Sequence, residues 1–213
     1  MSIIKISDLP AATSASAADV LPGVQSGVTR KVPVSALQAV PYDTLNFDTT
    51  PSTTPLAEGQ CRWNSAEKTL DIHVGGDVTL QVGRELLYWS KNGTVATIAN
   101  GAVVMAAGAD GNSGRINVAL ADGSVAANGF RIMGLATESI AANQAGNIAH
   151  FGSVRGVDTR GTAVGETWAA GDILYPHPTI PGALTKNEAS AIIKLPLALV
   201  LFANANGTLF VRR

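Results

Sequence analysis

The sequence predicts an all-β protein made of an extended N-terminal segment, a β-hairpin connector and a small C-terminal β-barrel or sandwich. From Glu85 onward, turn pairs recur at short spacing: Asn92-Gly93, Asn100-Gly101, Asp110-Gly111, Asp122-Gly123, Asn128-Gly129, Gly171-Asp172, Pro181-Gly182 and Asn206-Gly207. Short strand-like runs lie between them, which is the pattern of a sandwich or barrel. Helix signals are sparse, the best being Val34–Val40 and Glu138–Ala142, both too short to stand without packing.

The first segment, residues 1–40, reads as two short extended pieces punctuated by Pro10, Pro22, Gly23 and Gly27. Proline fixes φ there and glycine permits positive φ. Its candidate attachment residues are the apolar Ile3, Ile4, Ile6, Leu9, Val20, Leu21, Val24, Val32 and Leu37. Too few to enclose a core, they point to a segment stabilised by pairing with another chain. The other reading is an ordinary N-terminal hairpin packed on its own domain.

Residues 41–84 form the connector. Pro41–Pro55 (PYDTLNFDTTPSTTP) is rich in Thr, Ser, Asp and Pro and reads as a linker. A hairpin follows, with apolar alternation in Leu70-Asp71-Ile72-His73-Val74 and Val78-Thr79-Leu80-Gln81-Val82. A Gly75-Gly76 loop would set Ile72 against Thr79 and mix apolar with polar on both faces. A Gly75-Gly76-Asp77 loop instead opposes Val74 to Val78, Ile72 to Leu80 and Leu70 to Val82. The apolar residues then share one half-buried face, and Asp71, His73, Thr79 and Gln81 lie on the other.

Residues 85–213 form the C-terminal domain. Its expected strands are Val95–Ile98, Ala102–Met105, Arg115–Ala119, Ile132–Ala136, Asn147–Phe151, Asp172–Tyr175 and Leu209–Val211. Leu195–Phe202 (LPLALVLF) is too short for a membrane helix, contains Pro196, and reads as a buried strand. No run approaches the roughly 18 apolar residues that a membrane helix needs, and no apolar stretch near the start has the form of a secretion signal.

Composition excludes several function classes. The chain is 46% hydrophobic but only 15% charged and 5% aromatic. Its apolar residues are small, so charges are too few to cover a monomer and rings too few for one thick core. Burial of apolar faces between subunits resolves both deficits. A formal net charge of −1 gives no basic footprint for nucleic acid. Cys61 is the only cysteine, which leaves no disulfide framework and no zinc-finger spacing; a small buried thiol is the expected role.

Catalytic constellations are missing from the pattern. Gly152-Ser153-Val154-Arg155-Gly156 lacks the spacing of a nucleophile elbow. His73, His150 and His177 stand apart, with no paired metal-ligand spacing. Asp158 with Glu166 is a formal glycosidase pair, but turn chemistry accounts for both. Glycines 108, 111 and 114 sit between strands and need no phosphate. No cofactor is expected. Trp63, Tyr88 and Trp89 are candidate stacking rings for a host glycan, set against the plainer expectation that the rings anchor core packing.

Two parts of the chain resemble structural proteins of tailed-phage virions. Ile3–Ile6, Asp8-Leu9-Pro10, Asp19–Pro22, Val24–Gly27 and Thr29–Val32, closing on Leu37, resemble the attachment segment at the front of phage fibre proteins. In the second half the similarity is carried by Asn112–Ile116, Gly134–Ile140, Phe151–Thr159, Trp168–Tyr175, Gly182–Thr185 and a closing Gly-x-Leu-Phe-Val. These are similar to head-decoration and fibre-tip modules. The resemblance implies a non-enzymatic homotrimer, a head fibre or decoration (cement) protein held to the capsid by its N-terminal segment. It also admits a short tail fibre or adaptor that touches a host surface glycan. A polysaccharide depolymerase would call for a long repetitive β-helix with clustered carboxylates, which this sequence lacks.

Overall fold

The computed structural model of the chain describes residues 20–25, 28–33, 47–50, 54–111 and 113–213. The protein is all-β, 44% strand and 6% helix, and contains a small closed barrel with additional strands. It divides into two units, Met1–Asn46 and Phe47–Arg213. The division falls inside the Thr- and Pro-rich stretch that reads as a linker.

In the first unit, β1 (Val20–Gln25) and β2 (Val28–Pro33) pair antiparallel, with Leu21 opposite Val32 and Val24 opposite Thr29. The expected helix at Val34–Val40 lies outside the described residues.

The second unit begins with a three-stranded sheet of β3 (Cys61–Asn64), β4 (Thr69–Gly75) and β5 (Val78–Gln81). Ile72 opposes Leu80 as the alternation requires. The turn differs from expectation: Gly75, not Val74, opposes Val78, and the register shifts between His73 and Gly75. A bulge absorbs the extra residue that a three-residue loop was expected to hold. Gly75 and Gly76 both sit at positive φ, which only glycine adopts without strain.

The barrel wall is a ring of β6 (Leu86–Asn92), β8 (Ile116–Leu120), β7 (Val103–Ala109), β9 (Ile132–Ala136) and β10 (Ala145–Val157), closed by the β9–β10 pairing. All its pairs are antiparallel except β6 with β8. The far half of β10 continues the sheet through β14 (Gly207–Arg212), β13 (Ala198–Phe202), β11 (Ile173–Pro176) and β12 (Leu184–Thr185).

Consecutive residues on three ring strands enter different cores. Val104, Ala136 and Ile148 pack with Val118, Ile98 and Ile140 inside the ring. Val103, Leu135 and Ala149 pack on the other side with Val154, Leu174, Leu197, Val200, Leu209 and Val211. Strands buried on both faces lose the two-residue alternation, which is why continuous apolar runs mark them. Gly134 is required where β9 meets β10: at φ +141, a Cβ there would lie 1.9 Å from the Ala149 carbonyl oxygen.

Two expectations fail inside this unit. Glu138–Ala142 forms no helix; Ile140 instead makes a bridge with Ile98 that caps the ring core. Asn92, fully buried, fixes that cap by donating from Nδ2 to the carbonyls of Ala96 at 2.8 Å and Ile140 at 2.9 Å. Such a capped loop satisfies backbone carbonyls that a helix would have used internally. The strand expected at Val95–Ile98 is reduced to the same bridge. Trp168 anchors the larger core as expected for a ring in a ring-poor chain, with its Nε1 donating to Glu166 at 2.6 Å.

Candidate functional site

The three-stranded sheet is turned the other way from its alternation. Three of its polar residues are buried beside Val78: Thr69 is 6% exposed, Asp71 8%, Gln81 8% and Val78 5%. They face the barrel, where Arg155 of β10 donates from Nη2 to Gln81 Oε1 at 3.0 Å and from Nη1 to Glu85 at 2.8 Å. Glu85 also accepts the Gln81 N–H at 2.9 Å, and Asp71 accepts from Asn64 Nδ2 at 3.0 Å. A polar cleft of about 280 Å³ lies between sheet and barrel at this point. The ion pair and hydrogen bonds make burial of this face tolerable. The apolar residues Trp63, Leu70, Ile72 and Leu80 therefore face away from the barrel, belong to neither core and keep part of their surface in solvent.

Cys61 lies on that outward face, opposite Ile72, and is exposed. This corrects the expectation of a buried thiol: with its sheet turned over, the position that alternation assigns inward points to solvent.

A second apolar surface crosses the extended sheet. Leu86 opposes Phe151, Phe151 opposes Arg212, Ser153 opposes Phe210, Phe210 opposes Leu199, and Leu199 opposes Ile173. Cross-strand partners share a face, so Leu86, Phe151, Phe210, Leu199 and Ile173 form one stripe over five strands, with Ser153 and Arg212 on the same face and Phe202 beside Phe151 and Phe210. Phe151 and Phe210 meet edge to face with centroids 5.1 Å apart. Ile173 is 49% exposed, Phe202 55% and Phe151 40%. A cleft of about 620 Å³ opens along the stripe between Phe151, Phe202 and Phe210 on one side and the Arg84–Glu67 ion pair on the other. Leu195–Phe202 is thus no wholly buried strand: Leu197, Ala198 and Val200 are buried while Leu201 and Phe202 are exposed.

The predicted glycan rings do not gather. Tyr88 and Trp89 are consecutive on β6, at 39% and 52% exposure, and so project to opposite sides of the strand. Trp63 stands on the separate three-stranded sheet beside a cavity lined by Phe47 and Leu56. Of the attachment residues, Val20, Leu21 and Val24 lie on β1 and Val32 on β2; Ile3, Ile4, Ile6, Leu9 and Leu37 lie outside the described residues.

The titratable groups singled out in the sequence serve local structure. Hydrogen bonds from the Arg160 side chain and N–H hold the Asp158 carboxyl down at about 2. Burial opposes ionisation of Glu166, yet donation from Thr185, the Lys186 N–H and Trp168 outweighs it and lowers its pKa. Among the described residues, no group of three or more His, Cys, Asp or Glu side chains is placed to hold a metal ion, and no helix is long and apolar enough to cross a membrane.

Of the stripe residues only Leu199, with its neighbour Leu197, is expected from the sequence to matter for assembly. Their signal is Ala198–Phe202, apolar at every position, as in a strand that carries apolar side chains on both faces. No family model, curated protein or solved structure matches this chain.

Proposed function

We propose that the chain is a non-enzymatic structural protein of a tailed-phage virion, a homotrimeric head fibre or decoration protein whose N-terminal segment attaches it to the capsid. The observation that carries this reading is the outward stripe from Leu86 to Ile173. A monomer has no use for exposed apolar side chains gathered across five strands, whereas a subunit does. The reading is further supported by the division of the chain into two compact units, Met1–Asn46 and Phe47–Arg213, as expected of a chain that keeps attachment and body in different segments. Asp158 and Glu166, the one carboxylate pair with a catalytic reading, are each held ionised by local donors, whereas a general acid needs a raised pKa.

The test is binding to particles that lack the protein. Full-length chain is expected to sediment as a trimer and to co-pellet with such particles; a chain lacking residues 1–37 is expected to stay a trimer and remain in the supernatant. Co-pelleting of the truncated chain at full-length levels overturns the anchor assignment.

A further inference from the structure

The chain carries two apolar surfaces that are unlike each other. One is the flat face of the β3–β4–β5 sheet, where Trp63 opposes Leu70 and Ile72 lies between Cys61 and Leu80. The other is the stripe with its cleft at Phe202. Cys61, Trp63, Leu70, Ile72 and Leu80 on the face are uncharged, and Asp48 and Arg62 stand at its edge beside Trp63. The rim of the stripe carries Arg84 paired with Glu67 at 2.7 Å and Arg155 paired with Glu85 at 2.8 Å, two pairs neutralised within the chain. On the stripe's own face Arg212, opposite Phe151 and lining a cleft with Ile173, Leu199 and Phe210, is the charge that a second copy meets.

Area separates the ways in which copies can meet. Leu86, Phe151, Ile173, Leu201 and Phe202, each 40% exposed or more, leave on the order of 500 Å² of apolar surface, the size that marks an interface. Three strands at about 4.8 Å spacing and some five residues long add roughly 250 Å² for the sheet face. A standard interface of about 1,600 Å² is a little over half apolar. Face on face falls well short of that. Stripe on stripe reaches it but leaves the face in water. Face on stripe approaches it, and one such head-to-tail contact, repeated around a closed ring, covers both surfaces on every copy.

We propose that the two surfaces are the halves of a single interface between copies: the outward face of the three-stranded sheet of one chain docks on the stripe of the next. This rests on the oligomeric part of the functional reading, not on its virion location.

Two full-length variants test it. Ile72→Glu places a charge at the centre of the face and Phe202→Glu one on the stripe. Each alone is expected to sediment as a monomer with a cooperative unfolding transition. Mixed in equal amounts they are expected to form a 1:1 heterodimer, because the first keeps its stripe and the second its face, so one intact junction forms and the ring stays open. No heterodimer on mixing, as self-pairing of like surfaces requires, overturns the inference while leaving the oligomer reading intact. So does either variant that remains oligomeric alone. A wild-type chain that sediments as a monomer at micromolar concentration overturns both. Where a variant fails to fold, Val82→Glu and Leu201→Glu, at positions already 45% exposed, take the same places in the mixing.

Discussion

Arg155 and Glu85 join the three-stranded sheet to the barrel through an ion pair of unequal exposure: the Glu85 side chain is 3% exposed and the Arg155 side chain 47%. Glu85 has a second donor in the Gln81 N–H, so the carboxylate is committed to this junction while the guanidinium remains half in water. Removing the arginine leaves a buried charge with one neutral donor. Arg155→Met is expected to cost about 2 to 3 kcal/mol, read as a lowered denaturation midpoint, with Arg155→Lys recovering part of it. A midpoint equal to wild type would mean that the junction is held by other contacts.

Leu197 and Leu199 separate folding from assembly. Leu197 is fully buried in the larger core, whereas Leu199 stands on the outward stripe. Leu197→Asp combines the lost burial of a leucine with a buried carboxylate, several kcal/mol together, and is expected to abolish the folded state. Leu199→Asp is expected to leave near-native circular dichroism and to weaken oligomerisation. Equal loss of structure in both would contradict the outward placement of Leu199.

At Gly134, alanine meets both a positive φ and the Ala149 carbonyl oxygen. A destabilisation of roughly 3 kcal/mol or more is expected for Gly134→Ala, against little change for Gly165→Ala beyond its own φ strain, since nothing lies within 4 Å of a Cβ there. Chemical denaturation of the two variants makes the comparison.

Acid should weaken the fold through Glu166, Asp158 and Asp172. The folded pKa of Asp158 is held at about 2 by Arg160, that of Glu166 is lowered by Thr185, Lys186 and Trp168 against its burial, and that of Asp172 by the Ala169 N–H and Lys186. Depressed folded values give stability that is full above the unfolded pKa near 4 and is lost as pH falls through the folded values. The thermal midpoint is expected to be flat from pH 7 to about 5 and to fall toward pH 2. Glu166→Gln should lower the midpoint at pH 7 and flatten its decline. A wild-type midpoint unchanged at pH 3 contradicts this account.

Much of the strand pattern was readable because it is local. Ile132–Ala136 is found with the expected bounds, and the Ile72 to Leu80 register follows from alternation. What alternation does not carry is which side of a sheet meets the body of the protein. The three-stranded sheet buries Gln81 where Arg155, far along the chain, donates to it, and no window around residue 81 contains that information. β6 escaped notice for a related reason: Leu86-Leu87-Tyr88-Trp89-Ser90-Lys91-Asn92 has no period, since Ser90 and Asn92 are buried while Leu86 and Trp89 are exposed. Cys61 was misplaced along with its sheet. The stripe was hidden by the same non-locality, its members being drawn from strands at widely spaced positions in the sequence.

The position of β10 also sets the order in which the protein can form. It pairs with β6 and β9, which precede it, and with β14, which is made much later. Neither the ring nor the extended sheet can close on contacts between neighbours in sequence alone, and such topologies fold slowly, in milliseconds to seconds. Throughout that interval Phe151 and the free edge of β10 wait for strands not yet in place, a state prone to aggregate. Yield in a heterologous host should therefore depend more on growth temperature and chaperone supply than on the stability of the finished protein.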